Sequence, residues 1–481
     1  MNKTQSNKLA TEKISKLLFS MAVPAITAQI INLLYNIVDR IYIGHIADIG
    51  TTALTGVGVV MPIITILTAF SSLVGMGGAP QAAIAMGQGN NEKAEKILGT
   101  CVSTIVGVSA ILTAVLLFFG EEILWLIGAS EDTIGYSMQY LGIYCVGTIF
   151  IQFVLAINPF ITTQGFASIS MRTTLLGAVT NIILDPIFIF VFGLGVRGAA
   201  IATILSQLLS AIWVLKFLTG KKTMLKIKKT HLKIDFKLLL VIFALGVSPF
   251  IMQSTESILT ISFNTSLGKY GGDLAVGAMT ILFSCMQLVT LPLMGLTQGA
   301  QPIVSFNYGA GNIDRVKKAF KILLISCFVF SFTVWSIMMI FPQVFVGLFS
   351  SDDSLITLGC WAIRIYMFAT GFFGLQMACQ QTFIALGQAK SSIFIALLRK
   401  VIMLIPLIYI LPNIMTDSIA NLFNADAMSS FVSDPTKVFA VFVSEPIADT
   451  ISIIVTLIVF SITFKRIVKE LEQSKKLSTA N

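Results

Sequence analysis

Along this chain, long apolar runs alternate with short polar breaks. Uninterrupted apolar stretches fall near residues 17–43, 53–86, 97–119, 134–163, 173–193, 198–218, 238–267, 274–307, 319–349, 355–385, 391–412 and 437–464. A helix needs about 20 apolar residues to cross a bilayer. The pattern therefore predicts twelve membrane-spanning helices, spans 1 to 12 in chain order. Several runs exceed that length, so those helices must tilt, kink or project beyond the lipid. The apolar run after the polar first sixteen residues is too long for a signal-peptide core, so the first span is expected to be retained.

Composition removes the soluble alternative. Of 481 residues, 56% are hydrophobic and only 11% charged, and the mean hydropathy is +0.88. A soluble domain carries about 25% charged residues. So apolar a chain could not cover its own surface with polar groups, and lipid must solvate most of it.

Charge then sets the orientation. On one set of alternate connections lie 27 of the 32 Lys and Arg residues. They include Lys3, Lys8, Lys13 and Lys16, eight lysines from Lys216 to Lys237, Arg315 to Lys321, Lys390, Arg399, Lys400, and five residues from Lys465 to Lys476. The opposite set has only Arg40, Arg197, Lys269, Arg364 and Lys437, and is acidic at Glu121, Glu122, Glu131, Asp132, Asp352 and Asp353. The positive-inside rule puts the larger set, and with it both termini, in the cytoplasm. The net charge of +9 then reflects orientation toward anionic lipid rather than nucleic-acid binding.

The chain is internally duplicated. Gly77, Pro80, Gly87, Gly89 and Asn90 recur 222 positions later as Gly299, Pro302, Gly309, Gly311 and Asn312. Gly165 and Ala167 recur at the same offset as Gly387 and Ala389, and Pro24 near the start of span 1 has its partner in Pro249 of span 7. Six spans per half give both halves one orientation. The expected fold is all-α and polytopic, two six-helix bundles related by a pseudo-twofold along the membrane normal. The expected domains are 1–216, a lysine-rich cytoplasmic linker 217–237, and 238–481. Such duplication places a substrate path between two bundles that rock against each other.

Charged groups inside a span cost roughly 2.5–3.5 kcal/mol each and mark function. The acids so placed are Asp39, Asp185, Glu256, Glu445 and Asp449. Asn32, Tyr35, Asn36 and Asp39 recur every three or four residues and share one face of span 1. Asn181 and Asp185 share a face of span 5, with Pro186 loosening the backbone beside them. Such a carboxylate could exchange a proton or offer oxygens to Na⁺ next to an amide oxygen. Glu256, in Gln253-Ser254-Thr255-Glu256, is a partner for cations on the C-terminal half. Glu445-Pro446 and Asp449 read as a structural kink in span 12. Kinked helices suit a protein that bends between two states, and the abundant Met (19) and Phe (36) could form a soft wall for lipophilic ligands. Apart from Arg40 and Arg364 near span ends, no Lys or Arg is read inside a span.

The six cysteines lie in or at the ends of apolar spans without metal or redox spacing, and the two histidines, His45 and His231, fall in connections. No glycine-lysine phosphate loop is present. An enzyme or an ATP-driven pump is thus disfavoured; a channel would need a pore ring, usually from several subunits.

These residues together are similar to the multidrug and toxic compound extrusion (MATE) family over nearly the whole chain. The likeness rests on Pro24, on Tyr35-Asn36-Ile37-Val38-Asp39, on the paired motifs ending Gly87-Gln88-Gly89-Asn90 and Gly309-Ala310-Gly311-Asn312, on Asn181-Ile182-Ile183-Leu184-Asp185-Pro186, and on Gly198 to Thr203. Ser444-Glu445-Pro446-Ile447-Ala448-Asp449 resembles the MepA-like bacterial subgroup. The resemblance implies a secondary-active antiporter, not an enzyme, in a bacterial plasma membrane. It would export cationic, lipophilic compounds, antibiotics among them, against inward H⁺ or Na⁺, with no cofactor and as a monomer. In the DinF-type branch the coupling site lies in the N-terminal half, which here means Asp39, Asn181 and Asp185, with Asn158 and Thr203; Na⁺ at the first three would be the only metal. Substrate-facing candidates are Tyr35, Asn36, Gln253, Glu256 and Met286, and Pro24 is the hinge. The NorM-type branch uses acids on spans 7 and 10; Glu256 matches the first, but span 10 carries only Gln376, Gln380 and Gln381. The second reading is a flippase for a lipid-linked sugar precursor, which would want Arg or Lys within the cavity to bind pyrophosphate.

Overall fold

Every long apolar run is helical in the computed structural model, which describes residues 8–47 and 49–480, with 474–480 by backbone alone. Lys3, counted above with the cytoplasmic charges, lies outside the described residues, as do the side chains of Lys475 and Lys476. In chain order the long helices are α1 (Ile14–Gly44), α2 (Gly50–Gly87), α3 (Asn91–Ile127), α4 (Glu131–Thr163), α5 (Ala167–Val191) and α6 (Val196–Thr219). Then come Phe236–Gly309, α9 (Ile313–Ile340), the bent pair Asp353–Tyr366 and Thr370–Ala385 (α10), α11 (Ala389–Ile414) and α12 (Pro435–Gln473).

Among the described residues ten helices are long and apolar enough to span a membrane, eleven when the pair bent by 48° counts as one. Phe236–Gly309 runs for 74 residues. At about 1.5 Å per residue it is far too long for one crossing of a hydrocarbon layer about 30 Å thick. Gly272, with φ 68° and ψ −165°, breaks it near its middle. It is therefore two spans, α7 (236–271) and α8 (273–309), which bring the total to the twelve expected. The protein is a multi-pass membrane protein. Large apolar side chains such as Phe19, Leu117, Phe118 and Leu126 stand exposed on the helices, as lipid contact requires.

The described residues group into two compact units. The first holds the chain up to Gln253 together with Gln298–Ala319 and Ile384–Ala389; the second holds Ser254–Thr297, Phe320–Phe383 and the chain from Lys390 onward. In the first unit α4 lies against α2, α3 and α6, and α1 lies along α5. Its core includes Val57, Val60, Leu67, Tyr140, Tyr144 and Ala199. In the second, Phe460 stacks on Phe320 (centroids 4.4 Å apart) and on Phe464 (5.2 Å), beside Phe383 and Ile395.

The repeated glycines have a physical cause. Gly89 and Gly311 end α2 and α8 with φ of 76° and 69°, a left-handed conformation costly for other residues. At Gly87 a Cβ would stand 2.9 Å from the Ala310 nitrogen and closer still to the Phe306 carbonyl; at Gly309 it would stand 2.9 Å from the Ile84 Cα. The two contacts are equivalent under the 222-residue offset. The motif lets the ends of α2 and α8 touch backbone to backbone.

The lysine-rich linker is docked, not loose. The Gln164 Oε1 accepts from the backbone of Met224 (2.7 Å) and Leu225 (3.0 Å), and Glu95 accepts from the Lys226 nitrogen (3.2 Å) while pairing with the Lys228 ammonium. The segment before α1 is held similarly: Arg315 donates to the carbonyls of Leu9 and Glu12, both at 2.9 Å.

Candidate functional site

The strongest polar cluster inside the first unit joins four helices. Asn181 and Asp185 lie one turn apart on α5, so both face α1 and α6. The Asn181 Nδ2 donates to Asp185 Oδ1 (3.0 Å) and lies 3.4 Å from Thr203 Oγ1 on α6. Asp39 of α1 comes within hydrogen-bonding reach of Asp185. All three are sealed from the surroundings, at 7%, 2% and 0% exposure for Asp39, Asn181 and Asp185.

Three oxygens here accept nothing: Asp39 Oδ1, Asn181 Oδ1 and Asp185 Oδ2. Native proteins leave few buried polar atoms unpaired, and each costs about 1–3 kcal/mol or more when charged. Two carboxylates side by side also repel each other strongly in a medium of low dielectric. A proton shared between them, or a small cation among the free oxygens, answers both problems. The donor set is all oxygen, which suits H⁺ or Na⁺ and not a soft transition metal.

Tyr140 of α4 completes the wall, and the pattern along the chain did not single it out. Its hydroxyl lies near the Thr203 side chain, and its ring stacks on Tyr144 at 5.9 Å. The available signal was two tyrosines one helical turn apart in an apolar run. Tyr35, one turn before Asp39, is close enough to act on its charge. Asn36 itself is exposed and donates to the Asn32 carbonyl (2.7 Å). Asn158 is partnered elsewhere, through Nδ2 to the Ser170 carbonyl (3.3 Å). Pro24 is half-buried inside an unbroken α1. Gln253 ties α7 to α2, accepting from Ser72 Oγ (2.6 Å) and donating to Thr68 Oγ1 (2.8 Å).

The second unit carries a different cluster, and it corrects two of the expectations above. Arg399 and Lys400, counted with the cytoplasmic charges, lie in a π-helical stretch, Leu398–Leu404, inside the span α11. Arg399 donates from Nε to Asp449 Oδ1 (2.6 Å) and from Nη2 to Glu445 Oε1 (2.8 Å), both on α12. Its guanidinium also sits over the Phe373 ring, 4.8 Å from the centroid. Lys400, only 3% exposed, pairs with Glu256 of α7. Spans do therefore contain Arg and Lys, each placed against an acid because an unpaired buried charge is prohibitive. Glu445 and Asp449 are ion-pair partners as well as neighbours of a proline. The run 391–412 already enclosed Arg399 and Lys400, so its length was the signal to read. Two counts moved out of the cytoplasmic set leave that set still several times the other. Met286, on α8, is half-buried.

A family model described as MatE matches residues 24–187 and 249–410. Among curated relatives, the multidrug export protein MepA of Staphylococcus haemolyticus is 24% identical over 422 residues, covering 87% of this chain and 92% of that protein. The MepA of Staphylococcus aureus strain NCTC 8325 is 24% identical over 398 residues, covering 83% and 87%. Among solved structures, a MATE protein in the bent conformation aligns with a TM-score of 0.87 at 20% identity, covering 98% of this chain and 99% of that one. An outward-facing multidrug resistance MATE transporter of the MOP superfamily aligns with 0.85 at 20% identity, over 96% and 98%. At that identity the structural likeness establishes the fold.

Proposed function

This chain belongs to the MatE family, and we propose that it is a secondary-active exporter of cationic, lipophilic small molecules, driven by inward movement of H⁺ or Na⁺. The family and its multidrug-exporting relatives make it a transporter. The finer reading rests on one observation: two buried carboxyl groups, Asp39 and Asp185, within hydrogen-bonding reach of each other and bordered by unpartnered oxygens.

In the proposed cycle a cation from outside enters this cluster. Asp39 and Asp185 share its charge, while Asn181 and Thr203 orient them and would supply further oxygens to Na⁺. Neutralising the pair removes their repulsion and lets α1 repack along α5, bending about Pro24. The substrate is released outward as the cation is carried inward, by alternating access. Both termini lie in the cytoplasm of a bacterial cell, following the Lys and Arg bias, and the transporter acts as a monomer. The flippase reading needs a surplus of positive charge to hold pyrophosphate. Arg399 and Lys400 do not supply it, because three carboxylates face them.

The test is efflux of a cationic dye from proteoliposomes, under a pH gradient alone and then a Na⁺ gradient alone. One gradient should drive export, and Asp39→Asn and Asp185→Asn should each abolish it at normal expression. Intact export in both variants overturns the proposal.

A further inference from the structure

The C-terminal cluster holds five ionisable groups on three helices: Glu256 on α7, Arg399 and Lys400 on α11, Glu445 and Asp449 on α12. The two cations are not equivalent. Arg399 is fixed by two carboxylates and by the face of Phe373, and a guanidinium keeps its charge under all conditions in a protein. Lys400 has a flexible stem and pairs with Glu256. Its ammonium is buried, whereas the Glu256 side chain is 61% exposed. Glu256 sits near the middle of α7, where a carboxylate does not face acyl chains. Its open side therefore faces water or a ligand.

We propose that Lys400 is a resident counter-ion for Glu256, which the cationic group of a transported substrate displaces, so that this unit holds a site for one added positive charge. The proposal rests on the export reading above. Charge balance supports it: three carboxylates face two resident cations, and one monovalent cation closes the difference. Lys400 has somewhere to go, because Glu445 lies close enough to interact with it electrostatically. When substrate takes Glu256, Lys400 turns toward Glu445. Arg399 stays in place and keeps α11 on α12. Lys400 is thus a specificity residue that sets the charge of the preferred substrate.

The experiment is binding to the purified full-length protein in lipid nanodiscs, using tetraphenylphosphonium as the monovalent probe and methyl viologen as the divalent one. Wild type should prefer the monovalent probe. Lys400→Gln leaves the cluster short of two positive charges and should shift the ratio of dissociation constants toward the divalent probe by about tenfold or more. Lys400→Arg should keep the wild-type ratio. The double variant Glu256→Gln with Lys400→Gln removes the carboxylate that the substrate takes and should weaken binding of both probes by about tenfold or more. An unchanged ratio in Lys400→Gln, an equal shift in Lys400→Arg, or undiminished binding in the double variant overturns the proposal. Wild type that binds neither probe defeats this inference and the export reading together. Wild type that binds and exports the monovalent probe with a preference indifferent to Lys400 defeats this inference alone.

Discussion

Replacing Arg399 by Gln should be among the most destabilising single changes in the second unit. The guanidinium neutralises two carboxylates at 2.6 and 2.8 Å, and their side chains are only 1% and 6% exposed. Glutamine keeps some polarity but removes the charge, so Glu445 and Asp449 would stand one turn apart on one face of α12 without a cation. Breaking a buried pair in this way costs about 3–5 kcal/mol. At about 1.4 kcal/mol per factor of ten, the folded-to-unfolded ratio should fall by roughly two to four orders of magnitude. An exposed pair would lose about 1 kcal/mol or less. The assay is unfolding in mixed micelles of rising sodium dodecyl sulfate, followed by tryptophan fluorescence. Trp361 is a suitable reporter because it packs on Phe439 and Phe442 of α12, with centroids 6.3 and 6.1 Å away. The triple variant with Glu445→Gln and Asp449→Asn removes the stranded charges and should regain most of the loss. A cost below about 1 kcal/mol, or a triple variant no more stable than the single one, would refute the claim that this is a desolvated ion cluster.

Gly309→Val would drive a branched side chain into the Ile84 backbone, so the ends of α2 and α8 should separate; a cysteine pair at those ends should cross-link in wild type and lose most of its yield in the variant. Tyr140→Phe deletes a hydroxyl beside Thr203; it should cost about 0.5–1.5 kcal/mol, a two- to tenfold rise in the driving-ion concentration for half-maximal efflux, with substrate affinity unmoved. Glu95→Gln weakens the hold on Lys226 and Lys228; trypsin should then cut within 216–237 faster than in wild type, while helix content by circular dichroism stays the same.

Hydropathy and charge are properties of the linear chain, and what depends on them was settled there. Lipid solvates any apolar run of sufficient length whatever its neighbours, so the twelve spans followed from run length alone. The repeat was legible too, because Gly87, Gly89, Gly309 and Gly311 are demanded by backbone geometry that few other residues can adopt. Asn181 and Asp185 could be paired in advance, since four residues on a helix fix a shared face. Partners across helices could not. Asp39 and Asp185 lie 146 positions apart, yet they meet. Arg399 and Lys400 are adjacent in sequence, and a local reading sent both to the cytoplasm. Only packing supplies the acids that make their burial tolerable, from α7 at 144 positions' distance and α12 at 46 and 50. The energy of a buried charge depends on what stands opposite it, and that is decided in three dimensions.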